Sequence, residues 1–135
     1  MYLTTLLDIA YKESPDKNAV YHGERSLTYK ELYNLSGKLA NALKGMGVNR
    51  GDRIGLYLSS RLEFYICYWA IVRSGAIAVL LNSMLKKNEI EYILSDTQAQ
   101  IAFSEKSIAN ELIKACDALP ESREIIIVDD DSIAG

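Results

Sequence analysis

A chain of 135 residues that is 49% hydrophobic, 24% charged and 9% aromatic has the profile of one globular domain of ordinary size, with room for a core that needs no metal or disulfide staples. Its longest unbroken apolar run, Phe64 to Val72, is nine residues, against the roughly 20 a bilayer requires, so no membrane span is expected. The 15 Lys and Arg are scattered among 18 Asp and Glu, which excludes the basic stripe that neutralises phosphates along a nucleic acid.

The amino terminus has no basic region followed by a long apolar stretch and a small-residue cleavage site, so a secretory signal is not expected and a cytoplasmic location is. Thr4 to Glu13 places Leu6, Leu7, Ile9 and Ala10 at helical spacing, and Ser14-Pro15-Asp16 stops the helix. Ala19-Val20-Tyr21 and Ser26-Leu27-Thr28-Tyr29 flank His22-Gly23-Glu24-Arg25, the pattern of a small hairpin whose Gly supplies a positive φ. Thr28 and Glu31 form a T-x-x-E capping box, after which Leu32, Leu35, Leu39, Leu43 and Met46 recur on one helical face until Gly45 and Gly47 end it.

From Gly51 the pattern changes to alternation. Arg53 to Leu58 is an apolar run, and Ser60 with Glu63 predicts a second capping box opening a helix from Arg61 to Ser74 that is apolar almost all round, closed by Gly75. Ala76 to Leu81 is a second run, Glu89 to Asp96 a helix with Ile90, Ile93 and Leu94 inward, and Gln100 to Phe103 a third strand. Ser104 is expected to cap a helix reaching Leu119, with Ile108, Leu112, Ala115, Cys116 and Leu119 facing the core, before Pro120 breaks it and Glu124 to Val128 forms the last strand. Continuous apolar strands alternating with helices predict an α/β fold: a doubly wound, mainly parallel sheet with helices on both faces, plus the amino-terminal hairpin. The expected organisation is one subdomain over residues 1–135, with helix, hairpin and capped helix in 1–50 and a βαβαβαβ unit in 51–135.

Candidate chemistry is sparse. Gly45-Met46-Gly47-Val48-Asn49-Arg50-Gly51 contains G-x-G, but it follows a helix and precedes a strand, the reverse of a dinucleotide loop, and reads as a helix end. Asp129-Asp130-Asp131 after Ile125 to Val128 resembles the acidic pair of a phospho-receiver, but there that strand comes first, whereas here it is the last, and a solvated strand end is the better reading. His22, the only histidine, falls in a surface turn away from any nucleophile. Ser59-Ser60 is explained by capping, and Tyr57, Tyr65, Tyr68 and Tyr92 by core packing. Cys67 and Cys116 lie in helix-like segments without metal-type neighbours and read as buried free thiols. No catalytic, cofactor-binding or metal-binding residue is assigned.

Several segments together resemble the amino-terminal part of the adenylate-forming, AMP-binding enzymes, a family of acyl-CoA synthetases, aryl-CoA ligases, luciferases and peptide-synthetase adenylation domains. The likeness is carried by Pro15-Asp16-Lys17-Asn18-Ala19-Val20, Leu27-Thr28-Tyr29-Lys30-Glu31-Leu32 and Leu39-Ala40-Asn41-Ala42-Leu43. It is sharpest at Gly47-Val48-Asn49-Arg50-Gly51-Asp52-Arg53-Ile54 and continues through Glu63, Gly75-Ala76, Leu81-Asn82 and Glu89 to Asp96, where acyl-CoA synthetases look nearest. Ser60 and Leu80 depart from it, standing where the family often has Asn and Pro.

What the resemblance implies is ATP-dependent activation of a carboxylic acid, most like a fatty acid, to an acyl-adenylate and then a coenzyme A thioester. The family's phosphate loop, adenine segment, ribose-binding Asp and catalytic Lys match no position here. The chain is therefore expected to be scaffold, inert alone and binding no cofactor, with ATP, Mg and coenzyme A belonging to a longer parent. Its implied partners are the remainder of such a ligase, including an active-site subdomain and a small carboxy-terminal domain, with self-association as a further expectation. A stand-alone flavodoxin-like binding module and one half of a split ligase stay open as alternatives.

Overall fold

The computed structural model describes residues 3–129. In chain order the elements are α1 (Leu3–Glu13), β1 (Asn18–His22), β2 (Arg25–Thr28), α2 (Tyr29–Gly45), β3 (Arg53–Tyr57), α3 (Leu62–Arg73), β4 (Ile77–Leu80), α4 (Lys87–Thr97), β5 (Ile101–Ser104), α5 (Ala109–Asp117) and β6 (Glu124–Ile127). They divide into two compact units, Met1–Gly51 with Ser60–Ala76 and Asp52–Ser59 with Ile77–Gly135. The chain thus leaves the second unit after β3 to build α3 in the first, then returns for β4.

Unit 1 holds three helices and the hairpin. Val20 pairs with Leu27 and His22 with Arg25, and Gly23 turns the chain at φ +62°, a value that suits the twist of a two-residue connection. The expected capping box forms: the Glu31 N–H donates to Thr28 Oγ1 at 3.1 Å and the Thr28 N–H to Glu31 Oε1 at 2.9 Å. The buried stripe of α2 is Leu32, Ser36, Ala40 and Leu43, whereas Leu35 and Met46 are exposed. Burial therefore follows steps of four, four and three residues through two small residues, not the leucine series. Ser36 is tolerated there because its hydroxyl donates to the Tyr33 carbonyl at 3.3 Å and accepts from Arg73 at 2.9 Å. No residue of α3 is exposed, which matches its all-round apolar sequence. Leu7, Leu27, Leu32 and Leu62 form the centre of this unit, with Tyr65, Ile66 and Trp69 packed around them.

Unit 2 is a parallel sheet in the order β4-β3-β5-β6. Ile54, Gly55, Leu56 and Tyr57 of β3 and Ala102, Phe103 and Ser104 of β5 are buried, as continuous apolar runs predict for central strands. The edges differ from that expectation, since Ile77 is 50% and Leu80 59% exposed on β4. At the middle of the sheet Gly55 lies beside Ala102, and a Cβ on Gly55 would meet the Ala102 Cβ at 3.2 Å. Tyr57, Ala102, Leu81, Ile90, Leu94, Leu112 and Ala115 pack into one cluster that joins the sheet to α4 and α5.

Three capping and burial expectations need correction. α3 has Arg61 at its N-cap with no side-chain cap, so the Ser60 box does not form; Glu63 is taken instead by two arginines. Ser104 ends β5 with its side chain fully buried, and α5 begins only at Ala109 behind Ile108. Cys67 is buried, but Cys116 is only half-buried.

Candidate functional site

In a parallel sheet the place for a ligand is outside the carboxyl ends of the strands, where successive connections leave in opposite directions. In unit 2 that point lies between β3 and β5, because the chain passes from β3 outward to β4 and later enters β5 on the other side. The side chains gathered around it are Tyr57, Ser104 and Glu105.

Two of the three, Tyr57 and Glu105, are committed to holding the backbone. The Tyr57 hydroxyl donates to the Leu85 carbonyl at 2.7 Å. Burial, followed by the charges of Glu111 and Glu89, pushes the phenol pKa above its ordinary value, so it stays a donor. Glu105 is buried and accepts the Ser59 N–H at 2.5 Å, tying the loop after β3 to the end of β5. Its carbonyl accepts the Ile108 and Ala109 N–H groups at 3.2 and 3.0 Å. Asn82 Oδ1 accepts the Met84 N–H at 2.8 Å and Asp129 Oδ1 the Lys106 N–H at 2.9 Å, closing the loops after β4 and β6 in the same manner. Ser104 Oγ is fully buried and has no hydrogen-bond partner among the described residues.

Carboxylates also organise the start of α4. Glu89 accepts the Lys86 N–H, and Glu111 of α5 reaches across to the Lys87 N–H, both at 3.0 Å. That backbone donor is the chief reason the Glu111 pKa lies below the usual carboxylate value, with Lys114 and Lys86 adding to it and partial desolvation opposing it. Nothing in the sequence announces the Glu111 contact, because its partner is 24 positions away and only the packing of α4 on α5 brings them together.

In unit 1, Glu63 is bonded to Arg61 at 2.8 Å and to Arg25 of the hairpin at 3.1 Å. Burial pushes its pKa up, but the hydrogen bonds from the two guanidinium groups outweigh it and hold the carboxyl below its ordinary value. Arg73 donates to the Tyr33 carbonyl and to Ser36 and lies 4.2 Å above the Tyr33 ring, which stacks in turn on Tyr11 at 4.1 Å. The guanidinium rests on the bare Cα of Gly37, where a Cβ would sit 3.1 Å from its nitrogen. A recess of about 490 Å³ is lined by Arg50, Arg73 and Ser74. It opens at the carboxyl end of α3, whose carbonyls disfavour an anion, and its Arg73 is already engaged.

The residues singled out in the sequence are not brought together. His22 is exposed at the end of β1, Gly47 and Gly51 take φ of +95° and +87° in the connection after α2, and Ser59 serves Glu105 through its N–H. Tyr57 and Tyr65 are packing residues as expected, whereas Tyr92 is 72% exposed. Asp130 and Asp131 lie outside the described residues. Among the described residues no group of three or more His, Cys, Asp or Glu is placed to share a metal ion, and no helix is long and apolar enough to cross a membrane.

A family model for the AMP-binding enzymes matches residues 7–135. The chain belongs to that family. Among curated AMP-binding relatives, a medium/long-chain-fatty-acid–CoA/3-oxocholest-4-en-26-oate–CoA ligase of Mycobacterium tuberculosis is 31% identical over 130 residues, 96% of this chain and 24% of that protein. A 4-hydroxybenzoate–CoA/benzoate–CoA ligase of Rhodopseudomonas palustris is 32% identical over 84% of this chain and 21% of its own length. Among solved structures, the anthranilate CoA ligase AuaEII in complex with anthranoyl-AMP superposes with a TM-score of 0.89 at 29% identity, covering 95% of this chain and 25% of that one. The chain thus spans about a quarter of the length of these AMP-binding relatives.

Proposed function

We propose that these residues form the opening, structural portion of an ATP-dependent acid–CoA ligase that makes an acyl-adenylate and then an acyl-CoA thioester, and that they are inert by themselves. In such a reaction a carboxylate oxygen attacks the α-phosphorus of ATP and pyrophosphate leaves; the coenzyme A sulfur then attacks the acyl carbon and AMP leaves. The observation that supports this reading is the family match over residues 7–135 together with relatives that are acyl- and aryl-CoA ligases.

The chain's own contribution is positional. Tyr57, Glu105, Asn82 and Asp129 fasten the carboxyl-edge loops without presenting a free base, nucleophile or cation. Stabilising a triphosphate and its Mg²⁺ requires preorganised donors and positive charge, and the described residues offer no such array at that edge. ATP, Mg²⁺ and coenzyme A are therefore assigned to the whole ligase, which we place in the cytoplasm. A fatty acid is the first substrate class, from the Mycobacterium relative; an aromatic acid is the second, from the benzoate and anthranilate ligases.

Carboxylate-dependent ATP–pyrophosphate exchange tests the reading. Residues 1–135 alone are expected to give none, and the same residues joined to, or mixed with, the remaining three quarters of a ligase are expected to restore it. Exchange by the 135-residue chain alone overturns the structural assignment. A panel of fatty acids and benzoates then separates the two substrate classes.

A further inference from the structure

The two outer strands of the sheet are not alike. β6 has Glu124 at its start and Asp129 just after its end, and its isoleucines are partly buried. β4 is Ile77, Ala78, Val79 and Leu80, all apolar, and the chain from Ser74 to Leu85 has no charged residue. Ile77 is 50%, Leu80 59% and Met84, in the following turn, 79% exposed. Edge strands are normally guarded by Lys, Pro or a bulge, and β4 has none of these. The AMP-binding family often has Pro where Leu80 stands, so this chain carries a backbone donor in place of a guard.

Alternation along the strand decides which backbone groups are free. Ile77 and Leu81 donate to the Asp52 and Leu56 carbonyls on the β3 side, at 2.7 and 2.9 Å. The N–H and C=O groups of Ala78 and Leu80 therefore turn outward, where no strand among the described residues pairs with them. Two outward residues separated by one inward residue are their own antiparallel complement. We propose that two copies of this chain pair β4 to β4, antiparallel about a twofold axis at Val79, so that one sheet runs through both.

In that register Ala78 of each copy lies opposite Leu80 of the other, and every outward donor meets an outward acceptor. The register that pairs Ala78 with Ala78 sets Leu80 opposite Ala76, whose N–H is already given to the Ile71 carbonyl at 3.1 Å. The register that pairs Leu80 with Leu80 runs Ala78 past the strand end to Asn82. About the Val79 axis the large Leu80 side chain sits beside the small Ala78, the two valines make a β-branched pair, and no like charges meet. Pairing β6 to β6 would instead bring together two edges that each carry Glu124 and Asp129. The β4 pairing needs no nucleotide or acid and is independent of the ligase reading.

Such an interface is the same patch on both copies and uses up the edge, so it closes at a dimer. It is small, so the 135-residue chain is expected to sediment as a monomer at about 5 μM and as a dimer at about 1 mM. A monomer at the higher concentration, or open-ended growth past the dimer, overturns the proposal. Leu80→Pro installs the family's frequent residue and removes a donor that β3 does not use. Its melting temperature in dilute solution is expected to match the parent's, while dimerisation weakens at least about tenfold. An undiminished Leu80→Pro dimer overturns the pairing. Hydrogen–deuterium exchange needs no variant and separates the two edges. Glu124 and Val128 donate to the Gln100 and Ser104 carbonyls of the β5 side, which leaves the Ile125 and Ile127 amides outward on β6. As concentration rises, the Ala78 and Leu80 amides are expected to slow at least about tenfold and those of Ile125 and Ile127 to stay unchanged. Slowing at Ile125 and Ile127 instead, or at neither edge, places the contact elsewhere and overturns the proposal.

Discussion

The two units solve the same problem, fastening helices and loops to a small core, with different balances of charge. Unit 1 uses cations: Arg73 bridges α3 to α2 through a carbonyl, a hydroxyl and the Tyr33 ring, and Arg25 and Arg61 converge on Glu63. Unit 2 adds carboxylates on backbone amides, Glu105 on Ser59, Glu111 on Lys87 and Asp129 on Lys106, to two arginines on carbonyls, Arg53 on Thr97 and Arg123 on Ala99. The difference follows from architecture. Helices packed side by side satisfy their own backbones and leave side chains to make the links, whereas every strand-to-helix turn of a parallel sheet leaves N–H groups that need an acceptor.

If that contrast is right, removing an acceptor in unit 2 costs more than removing an ion-pair partner in unit 1. Glu105→Ala strips a charge-assisted bond from the Ser59 amide at a site only 5% exposed. It is expected to lower stability by about 2 kcal/mol, read from chemical denaturation. Glu105→Gln, which keeps an acceptor, should recover part of the loss. An Ala variant as stable as the parent would break the comparison.

Glu63→Gln in unit 1 is expected to cost about 1 kcal/mol or less at neutral pH, because Arg25 is well exposed and partly screened. The carboxyl's folded pKa is depressed, so its contribution is present above the ordinary carboxylate pKa and fades as pH falls through the lower folded value. Parent and Glu63→Gln stabilities should therefore converge in acid; a gap that stays constant down to the lowest measurable pH contradicts the ion-pair account.

The smallest effect concerns helix ends. α2 and α3 in unit 1 close on Gly47 and Gly75, at φ +95° and +88°, while α4 in unit 2 closes on Gln98 at φ +59°, the only described non-glycine in that region. Gln98→Gly is expected to raise stability by roughly 0.5–1 kcal/mol, seen as a small rise in melting temperature.

Much of this was legible in the sequence, and the exceptions share a cause. The Thr28–Glu31 box works because both partners lie within one turn and nothing competes for them. The Ser60–Glu63 pattern has the same spacing and fails, because Arg61 and Arg25 offer Glu63 a charged partner that a backbone amide does not match. Ser104 looked like a cap since it follows a strand and precedes a helix, yet it is the last inward position of β5 itself. Leu35 joined a leucine series at helical spacing but lies outside the stripe that Ser36 and Ala40 define. The links that hold the carboxyl edge of the sheet join residues 23 to 46 positions apart, beyond any local pattern.

Each unit also carries one cysteine. Cys67 is buried in unit 1, where desolvation, reinforced by Glu63, pushes its thiol pKa up to about 12, so almost no thiolate exists at neutral pH. Cys116 is half-buried in unit 2, with its pKa raised by desolvation. Because only thiolate reacts with an alkylating reagent, modification of Cys67 waits for α3 to come away from its neighbours, whereas Cys116 needs a smaller opening. The two rates form a natural pair of clocks, one for each unit, telling whether the chain opens as a whole or piece by piece.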